Sequence, residues 1–193
     1  MLCTQKTEMM KTERVQNSIN NLLASKERIT AAIDGPCASG KTTLAKKLSD
    51  IFDANVFHMD DFFLRPEQRT KERLSVPGGN VDYERFYDEV LSKLCDNKPF
   101  SYRPFCCKTM TLLKPVLVKP KRLNIVEGSY SMHEALRSFY DLSVFLDISP
   151  LEQKERILKR NPQNADMFFT KWIPLENMYF EECKIKEKCK IKL

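Results

Sequence analysis

The sequence predicts an α/β fold in which helices flank a mostly parallel sheet. Short apolar runs alternate with helix-like patterns along most of the 193 residues, and this alternation is typical of βαβ units. One apolar run, residues 29–33, leads through a glycine-containing segment into a helical pattern. Strand, glycine loop and helix in this order are the parts of a nucleotide phosphate site. The expected architecture is therefore a three-layer α/β/α domain of the P-loop NTPase type with a small helical lid.

The composition is that of an ordinary globular domain. Hydrophobic residues make up 42% of the chain and charged residues 30%, which suffices for a sizeable core. The last ten residues hold five lysines and one glutamate, so they carry +4 of the formal net charge of +6. A nearly neutral body is unlike the basic groove of a nucleic-acid-binding protein. We therefore expect no nucleic-acid partner.

Cysteine usage and hydropathy indicate the cellular compartment. The seven cysteines form an odd set without a C-x-x-C pair, so neither a disulfide framework nor a zinc site is expected. No apolar segment reaches the length of a signal peptide or a membrane span. We expect a cytoplasmic protein without a membrane partner, and the sequence leaves open a homo-oligomer.

The chain divides into a helical extension, residues 1–27, and one P-loop domain, residues 28–193. Apolar side chains at helical spacing predict an amphipathic helix over residues 12–25. Strands are expected at residues 29–33, 54–59, 123–126 and 142–148. Helices are expected after the glycine loop, from Asp82, over residues 131–139, from Ser149 and over residues 168–183. Residues 64–80 read as a long loop, residues 100–118 as a hairpin and residues 183–193 as an alternating edge strand.

The glycine segment, residues 35–42, has the spacing G-x-x-x-x-G-K-T. Its glycines let the backbone curl so that N–H groups point at phosphate oxygens, and the following helix adds its positive N-terminal end. Lys41 would reach the β- and γ-phosphates, and the Thr42 hydroxyl would bind Mg²⁺. The predicted nucleotide-binding residues are Gly35, Pro36, Cys37, Ala38, Ser39, Gly40, Lys41, Thr42 and Thr43. The alternative is a glycine turn with an exposed lysine.

Carboxylates follow two of the predicted strands. Asp60 and Asp61 come after the second strand, and Glu127 comes directly after the third. The carboxyl edge of a parallel sheet is where ligands bind. Asp60 is therefore a candidate base and Glu127 a candidate Mg²⁺ ligand, although adjacent aspartates after a strand can also serve as turn or cap residues.

A basic helix after the fourth strand is the candidate lid. Arg156 and Arg160 are four residues apart, hence on one helix face, and the polar segment of residues 161–166 interrupts the helix. A solvated charge stripe explains many such pairs. The alternative is a lid, residues 156–172, whose arginines supply positive charge to a transferred phosphoryl group.

Three ordered motifs resemble a known family. The segments AIDGPCASGKTTLA, HMDDFF and IVEGSYS, followed by the basic lid helix, resemble the uridine kinase-like family of P-loop kinases, a group that includes nicotinamide riboside kinase, phosphoribulokinase and bacterial pantothenate kinase. The likeness covers roughly residues 28–179. It implies ATP as phosphate donor, Mg²⁺ as cofactor and the hydroxyl of a small molecule as acceptor.

The resemblance also implies roles for individual residues. The position of Asp60 is that of the catalytic base, and the position of Glu127 is that of the residue that assists Mg²⁺. Asp82 matches the aspartate that holds ribose hydroxyls in nucleoside kinases, and Tyr102 sits where those enzymes place a tyrosine near the base. Around Tyr102 the histidine that pyrimidine nucleoside kinases use is absent, and Cys107 falls near its place.

These features fit several functions. A kinase acting on a nucleoside such as uridine is the first candidate, and kinases of nicotinamide riboside, pantothenate or a sugar are alternatives. A non-catalytic ATP-sensing protein is a second class. A GTPase would need an N-K-x-D element, which the sequence lacks. Asp82 is equally a candidate for the cap of its helix.

Overall fold

The computed structural model describes residues 2–193, with side chains described from Met9 onward. Its helices are α1 (Leu2–Ser25), α2 (Lys41–Phe52), α3 (Lys71–Ser75), α4 (Tyr83–Phe86), α5 (Ser92–Leu94), α6 (Pro150–Arg160), α7 (Ala165–Met167), α8 (Ile173–Glu182) and α9 (Ile185–Lys188). Its strands are β1 (Ile29–Asp34), β2 (Asn55–His58), β3 (Phe100–Tyr102), β4 (Phe105–Cys106), β5 (Thr111–Leu112), β6 (Val116–Val118), β7 (Leu123–Glu127), β8 (Leu142–Phe145) and β9 (Ile191–Lys192). None of the helices in this part of the chain has the length and apolar character needed to cross a membrane.

The central sheet has the strand order β2-β7-β1-β8-β9, and every neighbouring pair is parallel. Parallel neighbours require crossover connections, and these place helices on the faces of the sheet. Adjacent residues of β7 show the two faces: Ile125 packs with Val15 of α1 and Leu48 of α2, whereas Val126 belongs to the core that contains Tyr179 of α8. The predicted three-layer α/β/α fold is confirmed.

The four predicted strands appear as β1, β2, β7 and β8, with ends that differ by up to three residues. The predicted hairpin over residues 100–118 is also present, as the antiparallel pairs β3–β6 and β4–β5. The predicted N-terminal helix is longer than expected and begins at Leu2. The predicted caps are confirmed, because the side chains of Asp82 and Ser149 accept hydrogen bonds from the N–H groups of Arg85 and Glu152.

The prediction of an edge strand over residues 183–193 is wrong for most of that segment. Ile185–Lys188 is helical, and only Ile191–Lys192 pairs with β8, in parallel. Ile185 and Cys189 are both buried. Residues spaced by four lie on one side of a helical turn as well as on one side of a strand, so the alternation did not distinguish the two structures.

Two further expectations are corrected. Residues 131–139 do not form a helix apart from the 3₁₀ turn Arg137–Phe139, because the positive φ of Tyr130 and a hydrogen bond from the Met132 N–H to Asp34 bend the chain there. Residues 64–80 are not entirely loop, since they contain the 3₁₀ turn Pro66–Gln68 and α3. The Thr70 side chain caps α3 by accepting from the Arg73 N–H.

Three strand ends meet in the middle of the sheet. β7 lies between β2 and β1, and in its register Glu127 is opposite both His58 and Ile33. The segments that follow β1, β2 and β7 therefore leave the sheet side by side. The glycine loop, the Asp60 segment and Glu127 are brought together by this arrangement.

Candidate active site

The glycine loop runs from the end of β1 to the start of α2. Gly35 has φ of 141°, and a Cβ atom added to it would lie 2.2 Å from the Leu146 carbonyl oxygen, so only glycine fits. Gly40 has φ of 101° and is the N-cap of α2. The loop therefore leads directly into the N-terminal end of a helix of 12 residues, where backbone N–H groups and the helix dipole favour an anion.

Lys41, the first residue of α2, fixes a positive charge at this loop. Its Nζ donates to the carbonyl oxygens of Gly35 and Pro36 at 2.7 and 2.8 Å. Its side chain is buried. The ammonium group is thus held beside the backbone N–H groups that follow Gly35, as a phosphate-binding lysine requires.

Thr42 and Glu127 place two side-chain oxygens next to each other beside the loop. The Thr42 hydroxyl donates to Glu127 Oε1 at 3.1 Å, and His58 Nδ1 lies 2.5 Å from the same oxygen. The described residues contain no cluster of three or more His, Cys, Asp or Glu side chains that could hold a metal. Mg²⁺ does not require one, since it usually binds one or two carboxylates together with substrate phosphates and water. A hydroxyl and a carboxylate beside the phosphate loop fit Mg²⁺.

Asp60 follows β2 in the 3₁₀ turn Met59–Phe62 and faces the same cavity. Its side chain is exposed on the cavity wall, and the surrounding protein nevertheless reduces the solvation of its carboxyl group. This poor solvation and the nearby charge of Glu127 raise the pKa of Asp60, while the Lys41 ammonium opposes the rise. A carboxylate with a raised pKa and no hydrogen bond within the described chain is free to accept a proton.

The cavity has a volume of about 900 Å³. Many of the predicted site residues line it: Cys37, Ala38, Gly40, Lys41, Thr42, Thr43, Asp60, Glu127, Arg156 and Arg160. Gly35, Pro36 and Ser39 belong to the loop but do not line the cavity. The cavity therefore brings together residues of the glycine loop, the hydrogen-bonded Thr42–Glu127 pair and the Asp60 carboxylate.

Asp82 and Tyr102, the two residues expected to hold a nucleoside, are not among the residues that line this cavity. Asp82 is buried; it caps α4 and also accepts from the Gln68 amide at 2.8 Å. Tyr102 is buried with its hydroxyl directed at Asp61, 3.3 Å away. The structure does not bring these two side chains together with Asp60 in the cavity, and their substrate-binding roles stay predictions.

The predicted lid segment, residues 156–172, borders the cavity. Arg156 donates to the Ala38 carbonyl at 2.9 Å and to Glu152 at 2.6 Å, so it joins α6 to the glycine loop. Arg160 lines the cavity one turn further along α6, and Trp172 lines it from the helical segment before α8. Closure of this segment over a bound nucleotide stays a prediction.

No protein-family model matches the chain. It is 27% identical to uridine-cytidine kinase C of Dictyostelium discoideum over 118 residues, which are 60% of this chain and 26% of that protein. It is 25% identical to the cytidylate kinase of Mycoplasmopsis pulmonis over 167 residues, which are 75% of each. The chain thus spans about a quarter of the length of the first of these curated relatives.

Solved structures share the fold over nearly the whole chain. A possible uridine kinase from Bacillus stearothermophilus superposes with a TM-score of 0.68 at 22% identity, covering 94% of this chain and 97% of that one. D-glycerate 3-kinase from Cryptococcus neoformans superposes with a TM-score of 0.62 at 15% identity, covering 95% and 91%. The chain is thus similar in sequence to a uridine-cytidine kinase and in fold to a possible uridine kinase. At these identities the solved structures establish the P-loop kinase fold alone.

The cavity holds a further carboxylate, which the motifs did not indicate. Glu176 of α8 is buried; it accepts from the Cys37 backbone N–H at 2.9 Å and from the Ser129 hydroxyl at 2.7 Å. Burial and the charge of Glu176 raise the pKa of the Cys37 thiol to about 12. α8 is therefore fastened to the glycine loop by a buried, charge-assisted contact.

Other cavity residues were not predicted from the sequence. They are Phe63, Leu64, Arg69, Leu74, Asn80, Gly128, Ser129 and Tyr130, whereas Lys159, Phe168 and Lys171 belong to the predicted lid segment, residues 156–172. Several come from residues 64–80, which carry no periodic pattern and no strand-end position. The one available signal was the length of that segment, since long loops in compact domains are often functional.

Proposed function

We propose that this protein is an ATP- and Mg²⁺-dependent small-molecule kinase, which transfers the γ-phosphoryl group of ATP to a hydroxyl group. The single observation that carries the proposal is that Asp60 shares one cavity with the glycine loop and with the Thr42–Glu127 pair. The similarity to curated kinases supports a phosphotransferase. A protein that only senses ATP has no need of a proton acceptor opposite its phosphate loop.

Each residue has a role in this proposal. Lys41 and the arginines Arg156 and Arg160 neutralise the charge that develops on the transferred group. Thr42 and Glu127 hold Mg²⁺, which supplies charge neutralisation and fixes the phosphate chain when it is bound. The backbone N–H groups at the start of α2 orient the phosphates.

Asp60 receives the proton of the acceptor hydroxyl. As that oxygen forms its bond to the γ-phosphorus, the bond from the γ-phosphorus to the bridging oxygen breaks and its electron pair leaves on ADP. Because the pKa of Asp60 is raised, the carboxylate is a better proton acceptor than an ordinary aspartate. The incoming and leaving oxygens lie in line across the phosphorus.

A nucleoside such as uridine is the acceptor suggested by the motifs and by the name of the Dictyostelium relative. Kinases of nicotinamide riboside, pantothenate or a sugar are the alternatives. The positions of Asp82 and Tyr102 outside the cavity give the nucleoside no particular support over the other hydroxyl compounds.

Release of ADP, measured with ATP, Mg²⁺ and a panel of acceptors, tests the proposal. The panel contains uridine, cytidine, nicotinamide riboside, pantothenate, D-glycerate, ribose and fructose. We expect ADP release that depends on one class of acceptor and is lost in Lys41→Ala. ATP binding without acceptor-dependent ADP release across the panel would instead favour the ATP-sensing function.

A further inference from the structure

One end of the cavity is built from residues outside the glycine loop and the lid. We call it the acceptor end, and it consists of Asp60, Leu64, Arg69, Asn80 and Cys107. Arg69 is the cation of this set. The other cations that line the cavity, Lys41, Arg156, Lys159, Arg160 and Lys171, belong to the glycine loop or to the lid segment.

Arg69 is held by two neighbouring groups, the Leu64 carbonyl and the Cys107 thiol. Its Nε donates to the Leu64 carbonyl at 2.9 Å. Leu64 in turn donates its backbone N–H to the Asn80 carbonyl at 3.4 Å. The guanidinium therefore contacts a carbonyl and a thiol, and neither of these neutral groups neutralises its charge. No carboxylate of residues 9–193 forms an ion pair with the guanidinium.

Neighbouring arginines behave differently. Arg73 donates from both terminal nitrogens to Glu84 at 2.7 Å, and it also bonds the carbonyls of Gly79 and Val81. Arg85 is close to Asp82 and Glu89. These two arginines hold the structure together through carboxylates. The guanidinium of Arg69 lies beside a cavity, and no carboxylate accepts from its N–H donors. An arginine that binds an anion has this arrangement.

Two neighbours connect Arg69 with the reacting end of the cavity. Cys107 lies close to both Arg69 and Asp60. Partial burial raises the pKa of its thiol, the Arg69 guanidinium opposes this rise, and the Asp60 carboxylate adds to it. The side chain of Asn80 is buried, and its amide nitrogen, beside the Tyr130 phenol, makes no hydrogen bond of acceptable geometry. A buried amide without a partner is costly unless a ligand supplies one.

We infer that the acceptor is a small hydroxylated acid, whose carboxylate or phosphate group binds Arg69 while its hydroxyl faces Asp60. This inference rests on the proposed kinase function and names its substrate class. Arg69 is then a specificity-determining residue that distinguishes acidic from neutral acceptors, and Asn80 donates a second hydrogen bond to the same ligand. A neutral nucleoside or sugar would leave the guanidinium unpaired in the closed site, which disfavours it.

Binding of matched acceptor pairs tests the inference without requiring turnover. Isothermal titration in the presence of Mg²⁺ and a non-hydrolysable ATP analogue compares pantothenate with panthenol, D-glycerate with glycerol, and glycerol 3-phosphate with glycerol. The first two pairs report a carboxylate and the third a phosphate. Because a charge-assisted hydrogen bond strengthens binding by roughly 10- to 100-fold, we expect at least one acid to bind more tightly than its neutral partner by about that factor.

Arg69→Gln supplies the second arm. It should weaken binding of the preferred acid by about 10- to 100-fold and leave the affinities for the neutral partner and the ATP analogue unchanged. Arg69→Lys keeps the charge but loses the paired N–H donors of the guanidinium. Its affinity for the preferred acid should lie between those of the unmodified protein and Arg69→Gln. Arg65→Gln is the matched control, because Arg65 lies in the same segment, pairs with Glu67 and does not line the cavity.

The outcomes separate the inference from the proposed function. Three outcomes would overturn the inference. Neutral compounds could bind as tightly as their acidic partners, or none of the acids could bind. The third outcome is that Arg69→Gln weakens binding of the acid and of the ATP analogue equally. If Arg69→Gln fails to fold, the comparison of acid with neutral partner in the unmodified protein decides alone. If an acid binds in an Arg69-dependent way but no ADP is released, the inference stands and the proposed kinase function is contradicted. If a neutral compound is phosphorylated in an Asp60-dependent way, the kinase function stands and the inference is contradicted.

Discussion

Asp60 and Asp61 are adjacent in the sequence but have different surroundings. Asp60 faces the cavity, whereas Asp61 accepts a hydrogen bond from the Tyr102 hydroxyl. Poor solvation raises the pKa of both carboxyl groups. For Asp60 the second cause is the charge of Glu127, so the proton affinity of the candidate base depends on the candidate Mg²⁺ ligand.

The pH dependence of turnover follows from this coupling. Asp60 must be ionised to accept a proton, so kcat/KM should fall as pH decreases through its pKa. Because that pKa is raised above the ordinary value of 3.8, the acidic limb should lie above that of an unperturbed aspartate. Glu127→Gln removes one of the charges that raise the pKa of Asp60, so the acidic limb of the pH profile should move to lower pH. A pH profile of kcat/KM for both proteins measures this, and an unmoved or upward-shifted limb would contradict it.

At the scale of single residues, the sequence identified the groups whose positions follow from a motif or a strand end. Lys41 and Thr42 lie at fixed places in the glycine motif, and Asp60 and Glu127 follow predicted strands. Arg69 and Glu176 could not be found in this way. Arg69 lies in a segment without periodicity, and Glu176 sits within a helix whose packing against the glycine loop depends on the tertiary fold.

Among the elements, α8 has a special relation to the glycine loop. Glu176 accepts from the Cys37 N–H and the Ser129 hydroxyl, and three residues later the Tyr179 hydroxyl donates to Asp34 at 2.8 Å. Both contacts are buried. One helix thus holds the last residue of β1 and the beginning of the glycine loop, so the loop conformation depends on α8.

Removing the Glu176 carboxylate should destabilise the protein. Glu176→Ala leaves the Cys37 N–H without its acceptor, while the Ser129 hydroxyl keeps the Gly35 carbonyl at 3.0 Å. We expect the free energy of unfolding to fall by about 1–3 kcal/mol. Glu182→Ala is the control, because Glu182 is exposed on the same helix. Urea denaturation measures both variants. Equal stability of the two variants would show that the contact between α8 and the loop contributes little.

The elements that could be predicted are those with one dominant local signal. β1, β7 and β8 are short, largely apolar and almost completely buried, and the caps Asp82 and Ser149 stand directly before their helices. The helix predicted over residues 131–139 is an exception. There a tertiary contact, the hydrogen bond from the Met132 N–H to Asp34, determines the path of the chain.

Over the whole molecule, two buried titratable groups act in opposite directions on stability. Burial raises the pKa of Asp34 from 3.8 to about 6, and burial lowers the pKa of His133 from 6.5 to about 4. Between pH 4 and pH 6 the folded protein therefore keeps a proton at Asp34 that the unfolded chain has lost. At His133 the unfolded chain keeps a proton that the folded protein has lost. The two effects oppose each other over nearly the same pH range.

Single substitutions should separate these effects. As pH rises from 4 to 6, Asp34 lowers the free energy of unfolding and His133 raises it, each by about 3 kcal/mol when the shifts are converted at 1.36 kcal/mol per pKa unit. Stability of the unmodified protein should thus change little from these two groups. As pH rises, the stability of His133→Gln should fall relative to that of the unmodified protein. The stability of Asp34→Asn should rise relative to it. Urea unfolding at several pH values measures the slopes, and parallel slopes for all three proteins would contradict the assignment.

The central claim is that Asp60, and not its neighbour, accepts the proton of the hydroxyl in a phosphoryl transfer. Initial rates of ADP release, measured with ATP, Mg²⁺ and the pooled acceptor panel, compare Asp60→Asn with Asp61→Asn. We expect Asp60→Asn to lower turnover by about 10²- to 10⁴-fold, as for loss of a general base, with ATP affinity unchanged. Asp61→Asn, which alters only the contact with Tyr102, should cost less than about tenfold. Equal turnover of the two variants, or an unaffected Asp60→Asn, would contradict the account.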